Sequence, residues 1–201
     1  MSRTNFYRKV KTVTGLSPIE LIKNIRLEAG AKLLKDALAD TKEAGLLAAK
    51  AIMTTDTVPK EAAASFEVDG VTVTVGGMSK GSGMIHPNMA TMLSVTTTDA
   101  KISHDLLQEM VSEIVSDSFN MISVDRDTST NDTYLVLANG ESGVEIKAGT
   151  NGYVKFKEAL SFVATDLAKQ MAADGEGATR LMEVRAVHCK NKEEAKIFSK
   201  S

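Results

Sequence analysis

The dipeptide Asp69-Gly70 lies between two runs of strand-forming residues, 64–68 and 71–75. A type I′ turn needs positive φ at both central residues, and Asp-Gly accepts that at low cost. The two runs are therefore predicted to be adjacent antiparallel strands, which removes an all-helical fold from consideration. Other strands are expected at 51–55, 91–98, 134–137 and 179–187, the stretch 134–137 as a buried one, with a glycine-rich loop over 76–83. Leu107, Val111, Ile114 and Ser118 share one face of a helix predicted over 103–120. Phe156, Leu160, Val163, Leu167 and Met171 form a second stripe, and both stripes are assigned to the core. Shorter helices are expected at 41–50 and 192–199. Strands and helices alternate irregularly, which points to an α/β fold, an α+β layered sandwich, preceded by a short helical segment.

In that leading segment, residues 2–14 suit a short helix. Ser17, Pro18 and Glu20 then form a capping box for a helix through Lys35, with Ile22, Ile25, Ala29 and Leu33 at helical spacing. Residues 1–36 carry eight Lys/Arg and three Asp/Glu, while the whole chain has a net charge of −2, so the remainder is acidic at −7. The overall charge gives no general reason to bind nucleic acid or an acidic membrane. No apolar run is long enough to span a bilayer, and no secretory signal is evident. With Cys189 as the single cysteine, no internal disulfide can form, which fits a cytoplasmic setting; it is read as a partly buried thiol at a strand end.

The densest group of unusual residues is GGMSKGSGMIHPNMATML at 76–93. Four glycines fall within eight positions, Lys80 lies among them, and Pro87-Asn88 sets a turn just before Ala90-Thr91. A strained peptide bond ahead of a threonine can be attacked by that residue's own hydroxyl. Cleavage would free an α-amine with a reference pKa of about 7.7–8.0, able to take the proton from its own Oγ. By composition alone, an ordinary turn feeding a strand is the simpler reading. His86 is placed as a shaper of this loop rather than a base. His104 and His188 have no partners in sequence, and no clustered metal-ligand pattern is present.

Six segments in one order change that balance: AIMTTDT at 51–57, GGMSKGSGM at 76–84, HPNMATML at 86–93, DTSTNDT at 127–133, ANG at 138–140 and DGEGAT at 174–179. Over residues 37–201 the chain resembles the ornithine acetyltransferase family, the bifunctional, self-cleaving enzymes of arginine biosynthesis. The resemblance implies N-terminal-nucleophile chemistry, with cleavage between Ala90 and Thr91 and Thr91 as the nucleophile. Thr91 would take an acetyl group from N-acetylornithine and pass it to glutamate. Thr54 (in preference to its neighbour Thr55), Lys80, Thr91 and Glu176 match substrate-binding positions. Lys80 would meet a carboxylate and Glu176 an ammonium. No cofactor and no metal is implied. Acetyl-CoA is a candidate second donor, and relatives pair their two pieces into a heterotetramer. The polar run 127–133 is read as structural, holding loops near the site. Arg126 stands where the family usually has glycine, which would be costly if φ is positive there.

Residues 2–36 resemble instead part of an AraC-type helix-turn-helix domain, with Arg3, Asn5, Arg8 and Lys9 suited to DNA contacts. A DNA-binding regulator fragment, or a non-functional hybrid, is thus the alternative. A helix-turn-helix needs its first helix to seat the second, and none precedes this one, so specific DNA recognition is not expected. The Thr-Gly pair that builds the family's oxyanion hole finds no match before Ala51 on this reading, because Thr14-Gly15 falls in the AraC-like segment. Losing such donors costs about 10²–10³ in rate. The family also continues beyond Ser199, so the chain is expected to be incomplete at both ends.

Overall fold

The computed structural model describes residues 11–17, 43–86, 92–127 and 132–200. Residues 18–35 of the predicted helix, the AraC-like contact residues Arg3, Asn5, Arg8 and Lys9, and both residues of the Ala90-Thr91 bond lie outside them. The chain divides into two compact units, one up to Ile52 and one from Met53. In the first, residues 11–14 are helical and stop at Gly15, whose amide donates to the Lys11 carbonyl at 2.9 Å. Helix α1, Ala44–Ala51, closes on the Ile52 amide, which donates to the Ala48 carbonyl.

The second unit is built on the hairpin. Strand β1 is Lys60–Val68 and β2 is Val71–Lys80, paired antiparallel from Val68↔Val71 to Lys60↔Ser79. Asp69 and Gly70 have φ of 51° and 80°, the positive pair that a type I′ turn requires. Strand β3, Leu93–Thr98, pairs antiparallel with β2, and β5, Thr133–Ala138, pairs parallel with β3, giving the order β1-β2-β3-β5. A parallel step needs a crossover, and helix α2, His104–Asp117, provides it. Strands β4, Lys101–Ile102, and β6, Glu145–Ile146, form a small parallel pair beside it. Helix α3, Asn151–Ala173, starts where the Thr150 hydroxyl accepts from the Tyr153 amide. Helix α4, Lys192–Lys200, follows.

Helix α3 lies across β1 and β2. Its buried side is Phe156, Leu160, Val163, Leu167 and Met171, as the stripe predicted, joined by Val73 and Val75 of β2 and Met110 and Ile114 of α2. Gly76 and Gly77 belong to β2 rather than to a loop. A Cβ on Gly77 would stand 2.7 Å from Thr96 Oγ1 and 3.1 Å from both Leu167 Cδ1 and Val163 Cγ1. There the glycine serves the close seating of the helix on the sheet.

Further expectations are corrected. Residues 51–55 are a helix end followed by bends, because the Asp56 carboxylate takes the Thr54 amide and no neighbouring strand does. Residues 179–187 are not a strand. No described strand pairs with them, and Leu181, Met182, Val184 and Val187 are exposed. Cys189 therefore lies at no strand end, though it is partly buried as expected. Strand β5 exists but is an edge among the described residues, with Leu135 and Leu137 exposed on one face and Tyr134 and Val136 turned to the core. The predicted helix to residue 120 ends earlier. The Ser118 hydroxyl donates back to the Ile114 carbonyl at 2.7 Å, and a 3-10 turn, Phe119–Met121, follows.

Candidate active site

The polar groups of the second unit gather where β2 runs out at Lys80. The register sets Lys80 opposite Leu93, two residues after Thr91 in the chain. Lys80 is half-buried, and its ammonium has no hydrogen bond or ion pair among the described residues. The loop that follows, 81–84, is pinned from three sides. The Gly81 amide donates to Asp56 Oδ1 at 2.7 Å. The Ser82 hydroxyl lies 2.7 Å from Thr55 Oγ1, and its carbonyl accepts from the Glu176 amide at 2.6 Å. The Met84 and Ile85 amides both donate to the Asp125 carboxylate.

Glu176 comes from the loop after α3, and its carboxylate rests on the backbone of Gly83. A Cβ at Gly83 would lie 2.8 Å from Glu176 Cδ and 2.9 Å from Oε2, so a side chain at this position would push the carboxylate aside. Thr54 is exposed, with its amide on Asp56 Oδ2 at 3.0 Å and its hydroxyl unpartnered among the described residues. Thus Thr54, Lys80 and Glu176 come from three distant stretches and meet around one loop. Between the two threonines, it is the Thr55 hydroxyl that bonds to the loop, while that of Thr54 is left open. His86 Nδ1 lies 3.2 Å from Ser123 Oγ, a contact that anchors the loop's far end.

At the start of β3, Asp132 Oδ1 accepts the Met92 amide at 3.0 Å, and the Thr133 amide donates to the Met92 carbonyl. These bonds show how the end of the run 127–133 holds the backbone beside Thr91. Burial outweighs the Met92 bond and keeps the Asp132 pKa above its ordinary value.

Sequence reasoning missed the carboxylates beneath this loop. Asp56 and Lys60 form an ion pair at 2.7 Å with both side chains 0% exposed, and Lys60 also reaches Asp174 at 2.6 Å. The one signal available was a charged residue at each end of the short stretch 56–60, with an acid opening DGEGAT. For Asp56, burial works against ionisation, but the Lys60 hydrogen bond, the Gly81 and Thr54 amides and the Lys60 charge outweigh it, and the pKa is lowered. Asp174 is lowered against the same opposition, by Lys60 and by Thr57, whose amide and hydroxyl both donate to it. Asp125 is lowered, against burial, by the amides of Met84, Asp127 and Ile85. A carboxylate with a depressed folded pKa stabilises the fold above its unfolded value and loses that contribution as pH falls through the folded value. Thermal unfolding is therefore expected to show stability level above about pH 5 and falling progressively below about pH 4. A midpoint unchanged down to pH 3 would contradict this account.

Arg126 has a φ of 65°, so the cost foreseen for a side chain here is real. Left-handed backbone costs a non-glycine residue about 1–2 kcal/mol, and the extra freedom of an unfolded glycine returns about 0.4–1 of that. Arg126→Gly is expected to stabilise by about 0.5–1 kcal/mol, raising Tm by about 2–3 °C in calorimetry.

Fold and site together define a layered α/β domain with its polar groups collected at one end of a four-stranded sheet. The chain belongs to the ArgJ family, whose match covers residues 14–201. That match begins at Thr14 and so takes in Thr14-Gly15 and most of the segment likened to AraC proteins. Residues 14–36, expected to lie outside the family, therefore fall within its match, and the helix-turn-helix alternative gains no support. Among relatives, the arginine biosynthesis bifunctional protein ArgJ of Symbiobacterium thermophilum is 56% identical over 161 residues, 80% of this chain and 40% of that protein. The protein of the same name from Staphylococcus epidermidis is 45% identical over 185 residues, 92% of this chain and 44% of that one. The crystal structure of the Bacillus halodurans protein of that name aligns with a TM-score of 0.49 at 43% identity, covering 50% of this chain and 47% of that one. The chain thus spans about two fifths of the length of the curated relatives it matches. Among the described residues, no helix is long and apolar enough to cross a membrane, and no group of three or more His, Cys, Asp or Glu could hold a metal ion.

Proposed function

We propose that this chain carries the nucleophile half of a cytoplasmic acetyltransferase of arginine biosynthesis. The Thr91 hydroxyl attacks the Ala90 carbonyl carbon, the Ala90–Thr91 C–N bond breaks in an N-to-O shift, and water hydrolyses the resulting ester. Thr91 is left with a free α-amine, which takes the proton from Oγ. Oγ then attacks the acetyl carbonyl of N-acetylornithine. The amide C–N bond breaks, the departing ornithine nitrogen takes the proton, and the acetyl group remains on Thr91. The glutamate amine attacks that ester, carries away the acetyl group and returns the proton to Oγ. Lys80 meets a substrate carboxylate, Glu176 an ammonium, and Thr54 offers its open hydroxyl.

The observation that carries this reading is the meeting of Lys80 and Glu176 at the loop 81–84, with Lys80 in register beside the strand that Thr91 precedes. The reading extends to substrates that are small molecules, to acetyl-CoA as a further donor, and to a heterotetramer of paired pieces as in the family. Intact-mass measurement of the purified protein tests it. Fragments ending at Ala90 and beginning at Thr91 are expected, with acetyl transfer from N-acetylornithine to glutamate. A chain that stays whole after long incubation and transfers nothing overturns it.

A further inference from the structure

Lys60 is a fully buried cation that this chemistry does not use. A buried charge is costly unless paired, and an apolar side chain of similar size would often serve stability as well. Its partners explain its presence. Asp56 Oδ1 accepts from Lys60 and from the Gly81 amide, and Oδ2 from the Thr54 amide. Asp174 Oδ2 accepts from Lys60 and from the Thr57 amide. Lys60 also donates to the Val58 carbonyl at 3.3 Å. One ammonium therefore ties together the strap 54–60, the end of β2 and the loop after α3. Those three stretches carry Thr54, Lys80 and Glu176.

We infer that Lys60 is a positioning residue: through Asp56 and Asp174 it sets the spacing of Thr54, Lys80 and Glu176, and so governs substrate affinity more than bond making. This rests on the acetyltransferase reading above. The test compares Lys60→Met, Lys60→Arg and Asp174→Asn in the full chain. Because Lys60→Met leaves two carboxylates without a cation, Asp174→Asn is the variant that keeps the test independent of folding. In Asp174→Asn and in folded Lys60→Met, KM for N-acetylornithine is expected to rise about ten-fold or more with kcat changed less than about three-fold, and Lys60→Arg to recover part of the loss. A folded Asp174→Asn with unaltered KM overturns the inference. If the wild-type chain transfers no acetyl group, the reading of the reaction falls, and the positioning is read from amide exchange instead. Protection at Thr54, Thr57, Gly81 and Glu176 is then expected to drop about ten-fold in Asp174→Asn, while Val73 and Val75 keep theirs. Unchanged protection at those four amides overturns the positioning on its own.

Discussion

Thr91→Ala is expected to leave the chain whole and to reduce acetyl transfer by about 10³-fold or more. Two losses coincide in this variant. No hydroxyl remains to attack the Ala90 carbonyl, so the backbone does not break and no α-amine is released. No hydroxyl remains to hold the acetyl group either. Thr91→Ser keeps both functions in outline and is expected to cleave and transfer, more slowly. Intact mass separates the cases: one species for Thr91→Ala, and two pieces for the wild type and Thr91→Ser. Fold stability should hardly move, which a thermal unfolding midpoint close to that of an uncleaved wild-type chain would confirm. Full cleavage in Thr91→Ala would place the nucleophile elsewhere.

Phe156→Ala is expected to destabilise the second unit by about 3–5 kcal/mol and to lower Tm by about 10 °C. Phe156 is 0% exposed in the second turn of α3, and its ring meets Phe66 of β1 edge-on at a centroid separation of 6.3 Å. Truncation removes its burial and leaves a cavity between helix and sheet, at a seam already drawn tight by Gly77. Phe162 lies on the same helix but is 57% exposed, and Phe162→Ala is expected to change stability by less than about 0.5 kcal/mol. Denaturant titration of the two variants checks the contrast. Equal losses would mean that α3 is not seated on the sheet as described.

Periodicity and turn chemistry were legible where the local signal and the tertiary fold agree. Asp69-Gly70 announced its hairpin, and the stripe from Phe156 to Met171 announced both α3 and its buried face. The stretch 179–187 failed because β-propensity is not pairing: with no neighbouring strand among the described residues, its apolar residues remain exposed. The stretch 51–55 failed because a carboxylate two residues away offered the Thr54 amide a better partner. The proposed substrate positions Thr54, Lys80 and Glu176 could be named from ordered motifs. The ion pairs that set them together could not, since nothing local marks Lys60 as buried or brings Asp174 to it across 114 positions of chain.

By itself, then, the sequence determined the hairpin, the two core helices and the family, because each of these is written in neighbours a few positions apart. Only the tertiary structure decided that β2 swallows the glycines at 76 and 77, that β5 is an edge among the described residues, and that one buried ammonium joins the three stretches that carry Thr54, Lys80 and Glu176. Such outcomes depend on which distant groups compete for a backbone amide or a charge once the chain has closed, and burial makes that competition decisive.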